Sequence, residues 1–189
     1  MNNALIISRI DKGTDFFRQT LAAAGIGGIE TAGNCSEARR LIQQRDFDLV
    51  VINAPLADET GEALSRDIVS RGSCQVILVV KNEYYDAVSA VLAASGVLVV
   101  SRPINAELFW SACMVAQASF NRIKMMQAEN NELRQRLEDI RIIDRAKCLL
   151  ISRMNMSEPE AHRHIEKQAM DLRTTKRLVA EGILKTYEY

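Results

Sequence analysis

The residues best able to do chemistry in this 189-residue chain are its cations, and they are unevenly spread. Between Arg145 and Lys185 stand 9 basic against 5 acidic residues, in a chain whose formal net charge is zero. Residues 1–121 carry 10 basic and 13 acidic side chains; residues 122–189 carry 14 and 11. A polyanion, if the chain binds one, is expected at the C-terminal end, because clustered Lys and Arg attract phosphate. Other chemistry is hard to assemble. Cys35, Cys74, Cys113 and Cys148 form no CxxC pair and have no His at ligand spacing, so they read as reduced thiols and no metal site is expected. His162 and His164 are two apart, on different sides of a helix, which argues against a shared metal ion. No Gly-rich phosphate loop and no nucleophile with a partner base is visible. The expectation is a protein that is not an enzyme and needs no cofactor.

The elements that must hold these residues follow from periodicity. Short β-rich runs at Ala4–Ser8, Gly28–Ala32, Leu49–Asn53, Gln75–Val80 and Val97–Ser101 alternate with helical patterns near Thr14–Ala24, Ser36–Gln44, Gly61–Ser70 and Tyr85–Ala93. Three of the runs are nearly uninterrupted aliphatics, as in parallel strands covered on both faces. Ser36 is the expected N-cap of its helix, and Gly25, Gly72 and Gly96 stand where helices should stop. The fold class is α/β, a doubly wound five-stranded parallel sheet of the flavodoxin or receiver type. Function in such a sheet gathers at the C-terminal ends of the strands.

From Ala106 to about Arg153 there is neither Pro nor Gly, so the last helix of the sheet domain can run on. Heptad phasing places Ile123, Asn130 and Leu137 at a, and Met126, Leu133 and Ile140 at d. That predicts a short coiled coil and a homodimer, parallel and two-stranded because one Asn at an a position pairs with its counterpart. Glu129 can reach Arg134 across the seam, whereas Arg136 and Arg141 repel in the same geometry. Beyond it, Ser157-Glu158-Pro159-Glu160 has the form of a capping box opening a second helix with an apolar line Ala161, Ile165, Ala169, Leu172. Thr174 or Thr175 caps a third, carrying Leu178, Val179 and Ile183. Helices this short must pack on one another. No apolar stretch is long enough to span a bilayer, and no signal peptide opens the chain, so a cytoplasmic protein without membrane contact is expected.

The five βα units, the Asn53-Ala54-Pro55-Leu56 turn and the Arg102-Pro103 pair resemble a response-regulator receiver domain over about Ala4 to Ala118. The resemblance implies a Mg²⁺-dependent phosphotransfer site: an acidic pair after the first strand, an Asp nucleophile after the third, Thr or Ser after the fourth, Lys before a Pro after the fifth. Here those positions read Ser8-Arg9, Asn53, Val80 and Arg102. Asn has no nucleophilic carboxylate, Ser8 and Arg9 cannot hold a hard cation, and Val80 cannot donate to a phosphoryl oxygen. Arg102 keeps its charge and is free to pair with Asp48, Asp58 or another acid. The site is expected to be dead, with Asp11, Asp48 and Asp58 as remote alternative acceptors, so control must come from a regulatory protein partner or a ligand.

Ala146-Lys147-Cys148-Leu149-Leu150-Ile151-Ser152-Arg153, Ser157-Glu158-Pro159-Glu160-Ala161, Ala169-Met170 and Leu178-Val179-Ala180 together resemble the ANTAR domain, over about Ile140 to Leu184. The resemblance implies a three-helix module that binds hairpins of nascent mRNA as a dimer and prevents transcription termination. Lys147 carries over from the motif, and Arg145, Arg153, Arg163, Lys167, Arg173, Lys176 and Arg177 are candidates for phosphate contact, with His162 as a stacking or hydrogen-bonding group. Cys148 replaces the usual Gly, His162 a usual aromatic, and Glu166 a frequent basic residue. The expected organisation is a receiver-like domain at 1–118, a coiled-coil helix at 119–140 and the RNA-binding domain at 141–189. A DNA-binding output is disfavoured because no separate recognition helix is apparent. A protein-interaction module without RNA binding is the other alternative.

Overall fold

The computed structural model describes residues 1–9, 11–72 and 74–187, with the backbone alone for Asp11. The chain divides into two compact units, Met1–Met125 and Met126–Tyr189. In the first, β1 (Asn3–Ser8), β2 (Gly28–Ala32), β3 (Leu49–Asn53), β4 (Gln75–Lys81) and β5 (Leu98–Arg102) form one parallel sheet in the order β2-β1-β3-β4-β5. Alternation along the strands splits the aliphatics between two cores. Leu5, Ile7, Val50, Ile52, Val76, Leu78 and Val80 face one side, where they pack with Ala38 of α2 (Cys35–Gln44), Leu64 and Ile68 of α3 (Glu62–Ser70), and Val88 and Leu92 of α4 (Asn82–Leu92). Ala4, Ile6, Leu49, Val51, Ile77 and Val79 face the other, against Phe17 and Leu21 of α1 (Asp11–Ala23) and Phe109, Cys113 and Ala116 of α5 (Ala106–Met154). Phe17 and Phe109 are seated ring against ring at 4.8 Å. Burial on both faces is why the central strands read as continuous apolar runs.

Helix starts differ from expectation at two points. The N-cap of α2 is Asn34, whose side chain accepts from Glu37 N at 2.8 Å. Ser36 lies inside the first turn, with its backbone N–H and hydroxyl turned to Asp58. An Asx side chain three residues before Glu37 outcompetes the Ser because its geometry reaches the N3 amide. The fourth helix begins at Asn82, three residues before the expected Tyr85. Gly61, the residue before α3, has φ +90, and a Cβ there would sit 2.9 Å from Ile52 Cγ2, so both backbone and space call for glycine.

The 49-residue α5 runs through Met154 without interruption. Its last turns pack with α6 (Glu158–Asp171) and α7 (Lys176–Tyr187) around Ala146, Leu150, Ala161, Ile165, Ala169, Val179, Ala180 and Ile183. The capping box of α6 is present: the Glu160 carboxylate accepts from Ser157 N at 2.8 Å and from Ser157 Oγ at 2.7 Å. For α7 the cap is Thr175, whose Oγ1 accepts from Leu178 N. Leu172 and Leu178, expected in the apolar stripes, are exposed. Leu172 is the residue after α6 has ended, and Leu178 sits one position off the Val179–Ile183 stripe, about 100° round the helix. Both turns around α6 use left-handed non-glycine residues, Asn155 with φ 55 and Arg173 with φ 51.

Candidate nucleic-acid interface

At the C-terminal ends of the strands, Asn53 is 7% exposed and its Nδ2 donates to Ser8 Oγ at 3.1 Å. The first turn of α1 closes on it: a Cβ on Gly13 would lie 2.8 Å from Asn53 Nδ2. Sequence reasoning did not single out Gly13, since its reason is a close approach and not a turn. Arg9 is exposed, and Val80 is buried at the end of β4. Arg102 forms no ion pair among the described residues and donates instead to the Ala54 carbonyl, so the expected pairing with Asp48 or Asp58 is not made. Those two carboxylates are occupied elsewhere. Asp48 accepts from the backbone of Asn2 and Asn3, and Asp58 from the backbone N–H groups of Cys35 and Ser36 at 3.0 Å. These bonds hold the Asp58 carboxyl below its ordinary range. The side chain of Asp11 lies outside the described residues. Burial pushes the thiols of Cys74 and Cys113 up to about 12 and that of Cys35 up to about 11, so all three stay protonated and unreactive; Cys148 is exposed.

In the C-terminal unit the candidate cations fall into two sets. Lys147 Nζ is bound by Asp144 at 2.8 Å and by Glu158 at 3.0 Å, and its side chain is only 17% exposed. These bonds raise its pKa, the Asp144 bond most. Arg177 is held by Asp139 at 2.7 Å and Glu181 at 2.8 Å, which raises its pKa and lowers that of Asp139. Lys176 is paired with Glu166, which His162 Nε2 also approaches at 3.3 Å. The acid at position 166 thus ties α6 to α7 and engages Lys176 as well.

Arg153, Arg163, Lys167 and Arg173 form the other set. All are exposed, and none makes an ion pair among the described residues. Arg163 and Lys167 are one turn apart on the face of α6 opposite Ala161, Ile165 and Ala169. The exposed Met170 shares that face. Arg145 is exposed on α5, and His164 is half-buried at the edge of the core. Asp144 and Glu158, the partners of Lys147, were missed in the sequence. The i, i+3 spacing of Asp144 and Lys147 was a usable signal; Glu158 was hidden by the turn between helices.

The heptad positions Met126, Leu133, Leu137 and Ile140 are each more than half exposed, with Ile123 and Asn130 exposed beside them. Arg136 and Arg141, expected to repel across a seam, each have a partner within the helix, Glu132 at 2.6 Å and Glu138 at 3.9 Å. Among the described residues no helix is long and apolar enough to cross a membrane.

Residues 131–184 match the ANTAR domain, starting earlier along α5 than the motif blocks alone suggest. Over 168 residues, 89% of this chain and 82% of the relative, the sequence is 28% identical to the transcriptional regulatory protein PdtaR of Mycobacterium tuberculosis. The sheet unit resembles a two-component response regulator from Clostridium difficile (TM-score 0.54, 22% identity, 64% of this chain and 99% of that one). It also resembles a response regulator receiver domain protein from Clostridium thermocellum (TM-score 0.57, 16% identity, 67% and 99%). These structural likenesses establish the fold. The chain thus carries an ANTAR domain at residues 131–184, preceded by a unit with the receiver fold.

Proposed function

We propose that the protein is a cytoplasmic, non-enzymatic antitermination regulator that binds hairpins of nascent mRNA as a homodimer through the α5 heptads. Its control would come through a protein partner or a ligand, not through aspartyl phosphorylation. The observation that carries this reading is the match of residues 131–184 to the ANTAR domain. The unpaired cations Arg153, Arg163, Lys167 and Arg173 support a phosphate-binding surface on that domain. The exposed apolar seam supports the dimer. A carboxamide at Asn53, an apolar Val80 and a guanidinium at Arg9 support loss of phosphorylation.

The test is binding of a tandem-hairpin leader RNA, against scrambled RNA and duplex DNA, over a salt series. Four unpaired cations per protomer, counted over both protomers of the dimer, correspond to a log–log salt slope of about −6, whereas all eight basic candidates of each protomer would give about −11. Paired cations have already lost their mobile counter-ions to carboxylates, so the shallower slope is expected. Arg163→Ala with Lys167→Ala should weaken binding and flatten the slope. Asn53→Asp, even with acetyl phosphate and Mg²⁺, should leave affinity unchanged. Equal, weak binding of RNA and DNA would favour the interaction-module reading.

A further inference from the structure

Between α3 and α4, above the ends of β3 and β4, lies a cavity of about 390 Å³, within the range of small-molecule sites. Its walls are mostly apolar: Ala54 and Pro55 from the turn after β3, Val80 from β4, and Val88 and Val91 from α4. Val80 matters because a hydroxyl residue at that place would put a polar group into this wall; here it continues an aliphatic surface. The Tyr84 ring, about half exposed, stands at the mouth.

The charges around the cavity are unbalanced. Lys81 lines it, but its ammonium is already engaged by Glu83 at 3.3 Å. Glu62 also lines it, half-buried, and its carboxylate makes no ion pair or hydrogen bond among the described residues. The start of α3 accommodates an acid there but supplies no counter-ion. An apolar chamber with one uncompensated carboxylate and an aromatic ring at its mouth selects a cation with an apolar body: the carboxylate and the ring face both favour it. An anion or an uncharged apolar molecule gains only the walls.

We infer that this cavity is a binding site for a small aromatic or aliphatic amine, a ligand input placed beside the strand ends where the receiver has lost its phosphotransfer groups. Tyr84 and Glu62 set the preference for positive charge, and the Val80–Val88–Val91 surface binds the apolar body. Occupancy would press on α4 and on the turn after Asn53 together.

Full-length protein titrated with thioflavin T, a cationic aromatic dye, should give one saturable fluorescence increase per chain. The anionic dye anilinonaphthalene sulfonate should bind about tenfold more weakly or not at all. Glu62→Gln should weaken thioflavin T about tenfold and leave the anionic dye unchanged. Ala87 lies at the exposed rim, so Ala87→Trp should block the cavity and abolish dye binding without moving the thermal midpoint. If that variant does not fold, Val91→Lys, at another exposed rim position, should repel the cationic dye. Equal affinity for the two dyes, or undiminished binding in the rim variants, would overturn the assignment. No RNA enters the experiment, so its failure leaves the RNA-binding reading standing.

Discussion

Lys147 is the residue whose meaning changes most once its neighbours are known. As a lone lysine in a motif it is a phosphate contact; in place, it is a cation already held by Asp144 and Glu158. Lys147→Ala should therefore lower the thermal midpoint of the C-terminal unit, by a few degrees for roughly 1 kcal/mol of lost pairing and packing. A stability unchanged by that substitution, measured by circular dichroism, would restore the simple phosphate-contact role. Arg173 poses the opposite case. Its φ of 51 costs a non-glycine residue about 1–2 kcal/mol, so Arg173→Gly should raise the melting temperature while weakening RNA binding. If affinity is untouched, Arg173 is not part of the interface. The types of these side chains were legible in the sequence, but their pairing was not. Lys147 meets Glu158 across 11 positions and Arg177 meets Asp139 across 38, and only the packed helices bring them together.

Among the elements, those with a strong period were legible. Three of the five strands were legible as aliphatic runs because the central strands are buried on both faces, and α6 from a capping box that two hydrogen bonds complete. Helix beginnings were harder: Asn34 and Ser36 are both good caps by type, and only the backbone angles at Asn34 decide between them. The heptads of α5 form an apolar stripe with no partner from the described residues. A stripe of Met126, Leu133, Leu137 and Ile140 in water is about as exposed as such a stripe can be, and burying it against a second copy recovers the hydrophobic free energy. We predict that Leu133→Lys converts a dimer to a monomer in light scattering with the receiver-fold unit still folded. An unchanged mass would move the interface off this seam.

For the molecule as a whole, acid should loosen both units. Asp58 and Glu59 in the first, and Asp139, Glu160 and Glu166 in the second, have carboxyl pKa values held down by hydrogen bonds from folded partners. A carboxyl with a lowered folded pKa binds fewer protons folded than unfolded. Its contribution is therefore complete above the unfolded values of 3.8 and 4.5 and is lost as pH falls through the lower folded ones. Melting temperatures should hold from neutrality to about pH 5 and fall below it; a flat profile down to about pH 3 would deny these pairs any net role. A sheet unit followed by a helical part was legible from the run without Pro or Gly between Ala106 and Arg153, and the charge asymmetry placed the expected polyanion surface at the C-terminal end. The boundaries expected after residues 118 and 140 both fall inside one helix, and the compact units divide between Met125 and Met126. That helix is α5, which carries the chain from the first core to the second as unbroken helix. Such a boundary has no linker to cut. Any truncation within it strips amides or carbonyls of their partners one turn away, and limited proteolysis should find no preferred nick there while the helix is paired. Separating the two units therefore means cutting a continuous helix and leaving each of them with a raw helix end.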